Sequence, residues 1–225
     1  MGSSTASLTT QLLKRGFRNC FIPGLTSLRP DLRMVGTAFT LRYVPAREDL
    51  DMSTDYNNET NIQRIAVETI EPGQVLVIDA RSDVRAASFG HIIATRILRR
   101  GAAGLVSDGA LRDSPSFREL SLPSYCRGVH ATTSALVHHP ADMNVPIACG
   151  GVLVMPGDVV VGDADGVVII PSNIAGDVAQ AAYEQEGLEH FIWTKVDAGS
   201  SIKGVYPPDA NTISEYAASQ GSTDG

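Results

Sequence analysis

The chain has 225 residues, 43% of them hydrophobic, enough for one domain-sized core with an appended arm. A formal net charge of −7 argues against a protein that tracks nucleic-acid phosphates, which carries a basic face. No apolar stretch reaches the length of a membrane span and the first residues lack the apolar run of a signal peptide, so the expectation is a soluble cytoplasmic protein with neither membrane nor nucleic acid as partner.

Leu8, Leu12 and Leu13 have the spacing of a helix over residues 7–16, stopped by Gly16. Phe21-Ile22-Pro23-Gly24-Leu25 reads as a turn, and residues 35–44 as a strand that ends at Pro45. Cys20, Cys126 and Cys149 are spaced as neither a disulfide framework nor a zinc knuckle, and Cys149 reads as a small buried hydrophobe rather than a nucleophile. Residues 47–61 are polar and acidic, a surface segment; residues 61–70 predict a short helix closed by Glu71-Pro72-Gly73-Gln74. The unbroken apolar run 75–79, ending in Asp79, predicts a buried strand whose end reaches a site.

Residues 88–100 predict a helix that Gly90 opens and Gly101 stops, with Ile92, Ile93, Ile97 and Leu98 as its apolar face. A second buried strand is predicted over residues 104–107, and Asp113-Ser114-Pro115 starts another helix with proline early in it. Short strands follow over 123–127, 146–148 and 152–155, while His138-His139-Pro140 reads as a loop. Two apolar runs, 159–161 and 167–170, flank Gly162-Asp163-Ala164-Asp165-Gly166, where the aspartates serve a hairpin turn and lack the spacing of a calcium loop. A long amphipathic helix is predicted from 174 to about 196, and residues 200–225 form an arm. Mixed βαβ and hairpin signals give an α/β fold whose sheet is not purely parallel.

The chemistry concentrates in Asp108-Gly109-Ala110-Leu111-Arg112-Asp113. A strand running into this segment delivers a guanidinium and a carboxylate to one spot at the rim of the sheet. Asp113 is a hard oxygen ligand for a divalent metal, and Arg112 is a fork for a substrate carboxylate. The bland alternatives are Asp113 as the cap of the following helix and Arg112 as a structural ion pair with Asp79 or Asp108. Asp108 either orients Arg112 or terminates the strand. Gly90, His91, Ile92 and Ile93 open a helix whose free N–H groups suit a carboxylate, the two isoleucine side chains being assigned to the core. Lys14, Lys195 and Lys203 lie outside these elements, which favours a metal-dependent route over an imine.

Four segments together, Ser88-Phe89-Gly90-His91-Ile92-Ile93-Ala94, residues 101–113, 146–151 and 156–171, resemble the family of the regulator of ribonuclease activity A and the class II 4-hydroxy-4-methyl-2-oxoglutarate aldolases. The resemblance covers most of residues 30–190. It implies an α/β/α sandwich resembling the swivelling phosphohistidine domain, with a C-terminal helical arm at about 174–225. It further implies a homotrimer or homohexamer with sites between subunits, Mg²⁺ or Mn²⁺ at Asp113, and a small 2-oxo acid substrate that releases pyruvate on cleavage or decarboxylation. The family signature is an acid, twenty residues, Arg-Asp, and an acid three positions on. Here His91 and Ser116 stand where those acids fall, and His91 becomes a candidate base or water holder. The same resemblance nominates Glu189, or Glu186, as the acid that reaches a neighbouring subunit's site. It also leaves two other readings open: a non-catalytic regulator that binds a ribonuclease, and a different metal-dependent lyase such as a sugar-acid dehydratase.

Overall fold

The computed structural model describes residues 2–51 and 57–220. Part of the polar segment expected over 47–61 therefore lies outside the described residues. Helix α1 (Thr5–Lys14), capped by the Ser4 side chain, leads through two short strands, β1 (Phe21–Ile22) and β2 (Thr26–Ser27), into the long strand β3 (Met34–Pro45). Asn61 caps α2 (Ile62–Thr69), which is followed by β4 (Gln74–Asp79), β5 (Ala87–Phe89) and α3 (His91–Arg99). Then come β6 (Gly104–Leu111), α4 (Ser114–Glu119) and β7 (Ser124–Val129). The chain continues through β8 (His138–Met143), β9 (Ile147–Cys149), β10 (Val152–Val154), β11 (Val159–Gly162) and β12 (Val167–Ile170), and ends with α5 (Ala175–Asp197) and α6 (Ala210–Gln220).

Strands β3, β4, β6 and β7 run parallel and form the centre of a mixed sheet, with β5 adding in parallel at the far end of β6. Antiparallel strands complete it: β11, β12 and β1 beyond the start of β3, β8 beside its end, and β2 beside β7. β4 and β6 are apolar on both faces because both faces are covered. On one face, Phe39, Leu41, Leu76, Ile78 and Leu105 pack against Ala66, Val67 and Ile70 of α2, Ala94 and Ile97 of α3, and Phe117 of α4. On the other, Val75, Val77, Val106 and Val160 pack under the β9–β10 hairpin through Ile147, Cys149, Val152 and Val154. At the β11–β12 wing, Val161, Val168 and Ile170 meet Leu8 and Leu12 of α1 and Val178 and Ala182 of α5.

Several local expectations are corrected. The strand predicted to stop at residue 107 continues to Leu111, every residue of it buried. Asp-Gly looks like a turn in sequence, but Gly109 here allows close approach: a Cβ on it would stand 2.6 Å from that of Ala80. Residues 88 and 89 belong to β5, so the helix starts at His91. Ile92 is 71% exposed and not in the core. The buried face of α3 follows Ile93, Ala94, Ile97 and Leu98, and Ile92 is rotated off it. Phe21-Ile22 is a strand and not a turn, paired with Val168 and Val167. His138-His139-Pro140 is likewise a strand; its proline is tolerated opposite Tyr43, where the register with β3 shifts. The arm contains α6. Asp163 does more than turn the chain: its carboxylate accepts the N–H and hydroxyl of Thr5 and so fixes the start of α1.

Candidate active site

The parallel pairing of β5 with β6 sets Phe89 opposite Leu111. The next residues of the two strands, Gly90 and Arg112, therefore leave the sheet side by side, and the Arg112 N–H donates to the Phe89 carbonyl at 3.1 Å. Gly90 has an ordinary extended backbone, φ −125° and ψ 165°, so glycine is required here for space and not for conformation. A Cβ on it would lie 3.2 Å from both Arg112 Nε and Asp113 Oδ2.

Asp113 has a left-handed backbone, φ 62° and ψ 37°, and its side chain makes no capping bond to its own helix α4. The cap alternative therefore fails for α4. The carboxylate turns instead to the neighbouring helix: Oδ2 accepts the His91 N–H at 3.3 Å and pairs with His91 Nδ1 at 3.0 Å, with Arg112 Nε 3.5 Å away. Asp is one of the few residues that adopt this backbone without large cost. The His91 hydrogen bond, assisted by Arg112, holds the Asp113 carboxyl below the usual carboxylate range against a smaller opposing effect of burial. The three side chains remain 34–41% exposed, open to a ligand from solvent.

At the start of α3 the Ala94 N–H donates to the Gly90 carbonyl, the first bond internal to the helix. The N–H groups of His91, Ile92 and Ile93 precede it and have no acceptor within the helix. Asp113 takes that of His91, which leaves those of Ile92 and Ile93 as the donors for an external anion. Ile92 and Ile93 line a cavity of about 190 Å³, while His91 is not part of its lining. Gly90, Arg112 and Asp113 line it together with Gln63 and Arg64 of α2 and with Thr133 and Ser134 from the loop after β7. Those last four were not legible in sequence, because nothing in a short polar helix or a Thr-Thr-Ser loop says which sheet end it will face.

Asp108 is excluded from this group. It is 1% exposed, and it accepts the N–H groups of Ala80 (2.6 Å), Ser82 (2.9 Å) and Gly150 (3.0 Å) and the Ser82 hydroxyl (3.1 Å). It ties to β6 the left-handed Arg81-Ser82 pair and the turn of the β9–β10 hairpin. It neither orients Arg112 nor ends the strand. Asp79 accepts from the Arg81 and Ala148 N–H groups, so neither aspartate forms the alternative ion pair; the carboxylate beside Arg112 is that of Asp113. Cys149 is fully buried and burial pushes its thiol well up, as for an inert core residue.

Glu186 and Glu189 are not brought to this corner within one chain. Glu186 accepts the Ser4 N–H at 2.6 Å and anchors the start of α1. Glu189 accepts from Gln185 at 2.8 Å and lines a separate groove of about 510 Å³ that also includes Trp193 and Tyr206. That groove is larger, but it contains no arginine–aspartate pair. Among the described residues no lysine lines the 190 Å³ cavity. His130, in the loop after β7, accepts the Thr132 N–H at 3.2 Å.

No cluster of three or more His, Cys, Asp or Glu side chains that could hold a metal occurs among the described residues. The donor set at the corner is one exposed, ionised carboxylate whose Oδ1 takes none of the three donors on Oδ2, with His91 behind it. This fits a hard cation such as Mg²⁺, which retains waters and accepts substrate oxygens, and does not fit a closed tetrahedral zinc site.

A family model described as RraA-like, Aldolase/RraA, matches residues 5–169. A protein of Halalkalibacterium halodurans provisionally named 4-hydroxy-4-methyl-2-oxoglutarate aldolase is 42% identical over 115 residues, 51% of this chain and 54% of the relative, so the match spans about half of that protein. A solved structure of an uncharacterized protein from Pseudomonas syringae pv. tomato aligns with TM-score 0.77 at 26% identity, over 91% of this chain and 92% of its own. Streptomyces coelicolor RraAS2, described as an unusual member of the RNase ES inhibitor RraA protein family, aligns with TM-score 0.74 at 34% identity, over 84% and 90%. No helix among the described residues is long and apolar enough to cross a membrane. With the sheet and the whole Gly90-to-Asp113 corner inside the matched span, the chain belongs to the RraA-like aldolase/RraA family.

Proposed function

We propose that the chain is a divalent-cation-dependent carbon–carbon lyase acting on a small 2-oxo acid. It releases pyruvate by retro-aldol cleavage of 4-hydroxy-4-methyl-2-oxoglutarate-type substrates and by decarboxylation of oxaloacetate. The observation that supports this most is the convergence of Arg112, Asp113 and the unpaired N–H groups of α3 on one small cavity.

Asp113 would hold Mg²⁺ or Mn²⁺, which when bound supplies Lewis acidity to the 2-oxo group. The N–H groups of Ile92 and Ile93 receive the substrate's 1-carboxylate. Arg112 places a fixed positive charge beside the oxygen on which negative charge grows as the bond to C4 breaks, so it contributes more in the transition state than in the ground state. His91 engages Asp113 through Nδ1 and N–H, which leaves Nε2 to hold the water that exchanges a proton with C3 or with the 4-hydroxyl. Gly90 keeps the wall of the cavity flat enough for the substrate to reach both charges. A homotrimer or homohexamer in the cytoplasm, with Glu189 reaching a second copy's site, belongs to the same reading.

The test is pyruvate formation from 4-hydroxy-4-methyl-2-oxoglutarate and from oxaloacetate, in Mg²⁺ and in EDTA. Release in Mg²⁺ that EDTA abolishes is the expected result. Equal release in both contradicts the proposal, and no release from either acid leaves the protein-binding role of a ribonuclease regulator as the better reading.

A further inference from the structure

We infer that Gln63 is a positioning residue of the site: it holds the end of β5, and through it Gly90 and the start of α3, in place beside Arg112 and Asp113. Its consequence for turnover rests on the lyase reading above. The buried stripe of α2 runs through residues 63, 66, 67 and 70, the spacing of one helix face. Ala66, Val67 and Ile70 are the apolar residues such a stripe calls for, and Gln63, 4% exposed, is its one polar member. A buried amide is unfavourable unless it is paired, so its partners are the informative part. Gln63 Nε2 donates to the Ser88 carbonyl at 2.9 Å and to the Tyr43 hydroxyl at 2.5 Å, and that hydroxyl donates to the same carbonyl at 3.0 Å. A carbonyl only accepts, which fixes the amide with its nitrogen toward β5.

Strand β5 needs this support. It is three residues long and pairs with β6; among the described residues no strand covers its other edge. The Phe89 carbonyl faces β6, where it accepts the Arg112 N–H. Carbonyls alternate along a strand, so that of Ser88 faces the uncovered edge, where a buried acceptor requires a donor. Gln63 from α2 and Tyr43 from β3 supply the donors that a neighbouring strand would otherwise supply. The Ser88 hydroxyl meets the Ala110 carbonyl at 2.9 Å and the Ser107 hydroxyl at 2.8 Å, both in β6. Ser88 is thus tied to α2, β3 and β6 at once, two residues before Gly90.

The site leaves little room for this strand to move. A Cβ on Gly90 would stand 3.2 Å from both Arg112 Nε and Asp113 Oδ2, so a shift of a few tenths of an ångström is felt there. The N–H groups of Ile92 and Ile93 follow Gly90 directly and move with it. A reaction that needs a carboxylate, a 2-oxo group and a guanidinium in one arrangement is sensitive to displacement on this scale.

The experiment uses Gln63→Leu, which suits the apolar stripe but donates nothing, and Gln63→Met, which does the same with an unbranched side chain. Tyr43→Phe removes one donor and is the milder change that decides the matter if both Gln63 variants fail to fold. Amide hydrogen exchange is followed by nuclear magnetic resonance. The Arg112 N–H, bonded to the Phe89 carbonyl, reports whether β5 stays against β6 beside the site. It should exchange at least about tenfold faster in both Gln63 variants, with the β4 amides at the sheet centre unchanged, and Tyr43→Phe should give the same pattern at smaller size. In turnover of 4-hydroxy-4-methyl-2-oxoglutarate, Gln63→Leu should lower kcat about tenfold and move KM by less than about threefold. Arg112 exchange at the wild-type rate in either Gln63 variant, β4 amides that accelerate by the same factor, or a raised KM at unchanged kcat overturns the assignment. Faster Arg112 exchange in the variants of a protein whose wild type releases no pyruvate would uphold the positioning role and overturn the lyase reading instead.

Discussion

Asp108 and Asp113 stand on one short segment, and the structure surrounds them in opposite ways. Asp108 is sealed in the sheet with three backbone N–H groups and a hydroxyl on its oxygens. Asp113 sits just beyond the strand on a left-handed backbone, one third exposed, with its hydrogen bonds all to His91 and on a single oxygen. Both carboxylates organise backbone, but only the second has an oxygen to offer a ligand. The lesson is that exposure and the balance of donors to lone pairs, and not the residue type or its place in a motif, separate a structural carboxylate from an available one.

Substitutions at the two positions should therefore fail in different assays. The largest expected effect is on activity: Asp113→Asn, which retains a residue that accepts the left-handed backbone, should cut pyruvate release by about 10³-fold or more while unfolding free energy falls by no more than about 1 kcal/mol, the size of a lost helix cap. Asp108→Ala should do the reverse. Leaving three buried N–H groups without an acceptor should cost about 3 kcal/mol or more in denaturant unfolding, with Asp108→Asn recovering part of it. An Asp108→Ala protein of wild-type stability would refute the contrast.

Smaller effects sharpen it. Arg112→Ala should lower kcat/KM at least about tenfold, as expected for one charge-stabilising group. Gly90→Ala should leave stability within about 0.5 kcal/mol yet lower activity, because the added methyl presses on Arg112 Nε and Asp113 Oδ2 and not on the fold. The smallest expected effect concerns His138, buried against the Ala86 carbonyl. Burial lowers its folded pKa below the ordinary histidine value of 6.5, so the unfolded chain binds the extra proton first. Its contribution is complete above about pH 6.5 and is lost as pH falls from there through the folded pKa; His138→Asn should flatten the stability profile in that window, read by denaturant unfolding across it.

How far sequence reached follows from how local each signal is. The unbroken apolar runs of β4 and β6 and the Gly-Asp hairpin between β11 and β12 were legible because burial on both faces and turn chemistry are written in adjacent residues. The end of β6 is hidden in sequence because Asp108-Gly109 has turn composition, while the N–H donors and close contacts that keep it in the sheet come from residues 80–83 and 150. His138 looks like a loop residue in sequence because its pairing partner, the end of β3, lies far away along the chain. At the site, Arg112 and Asp113 announced themselves as a pair. Gln63, Arg64, Thr133 and Ser134 did not, since only the folding of α2 and the loop after β7 around β5 brings them to the cavity.

The most direct test of the central claim is the binding of Mn²⁺ to wild type and to Asp113→Asn, followed by electron paramagnetic resonance with Asp108→Asn as the matched control. Wild type and Asp108→Asn should bind one ion per chain, with pyruvate broadening its signal, and Asp113→Asn should weaken that binding by at least about tenfold. Equal Mn²⁺ affinity in wild type and Asp113→Asn would contradict the account.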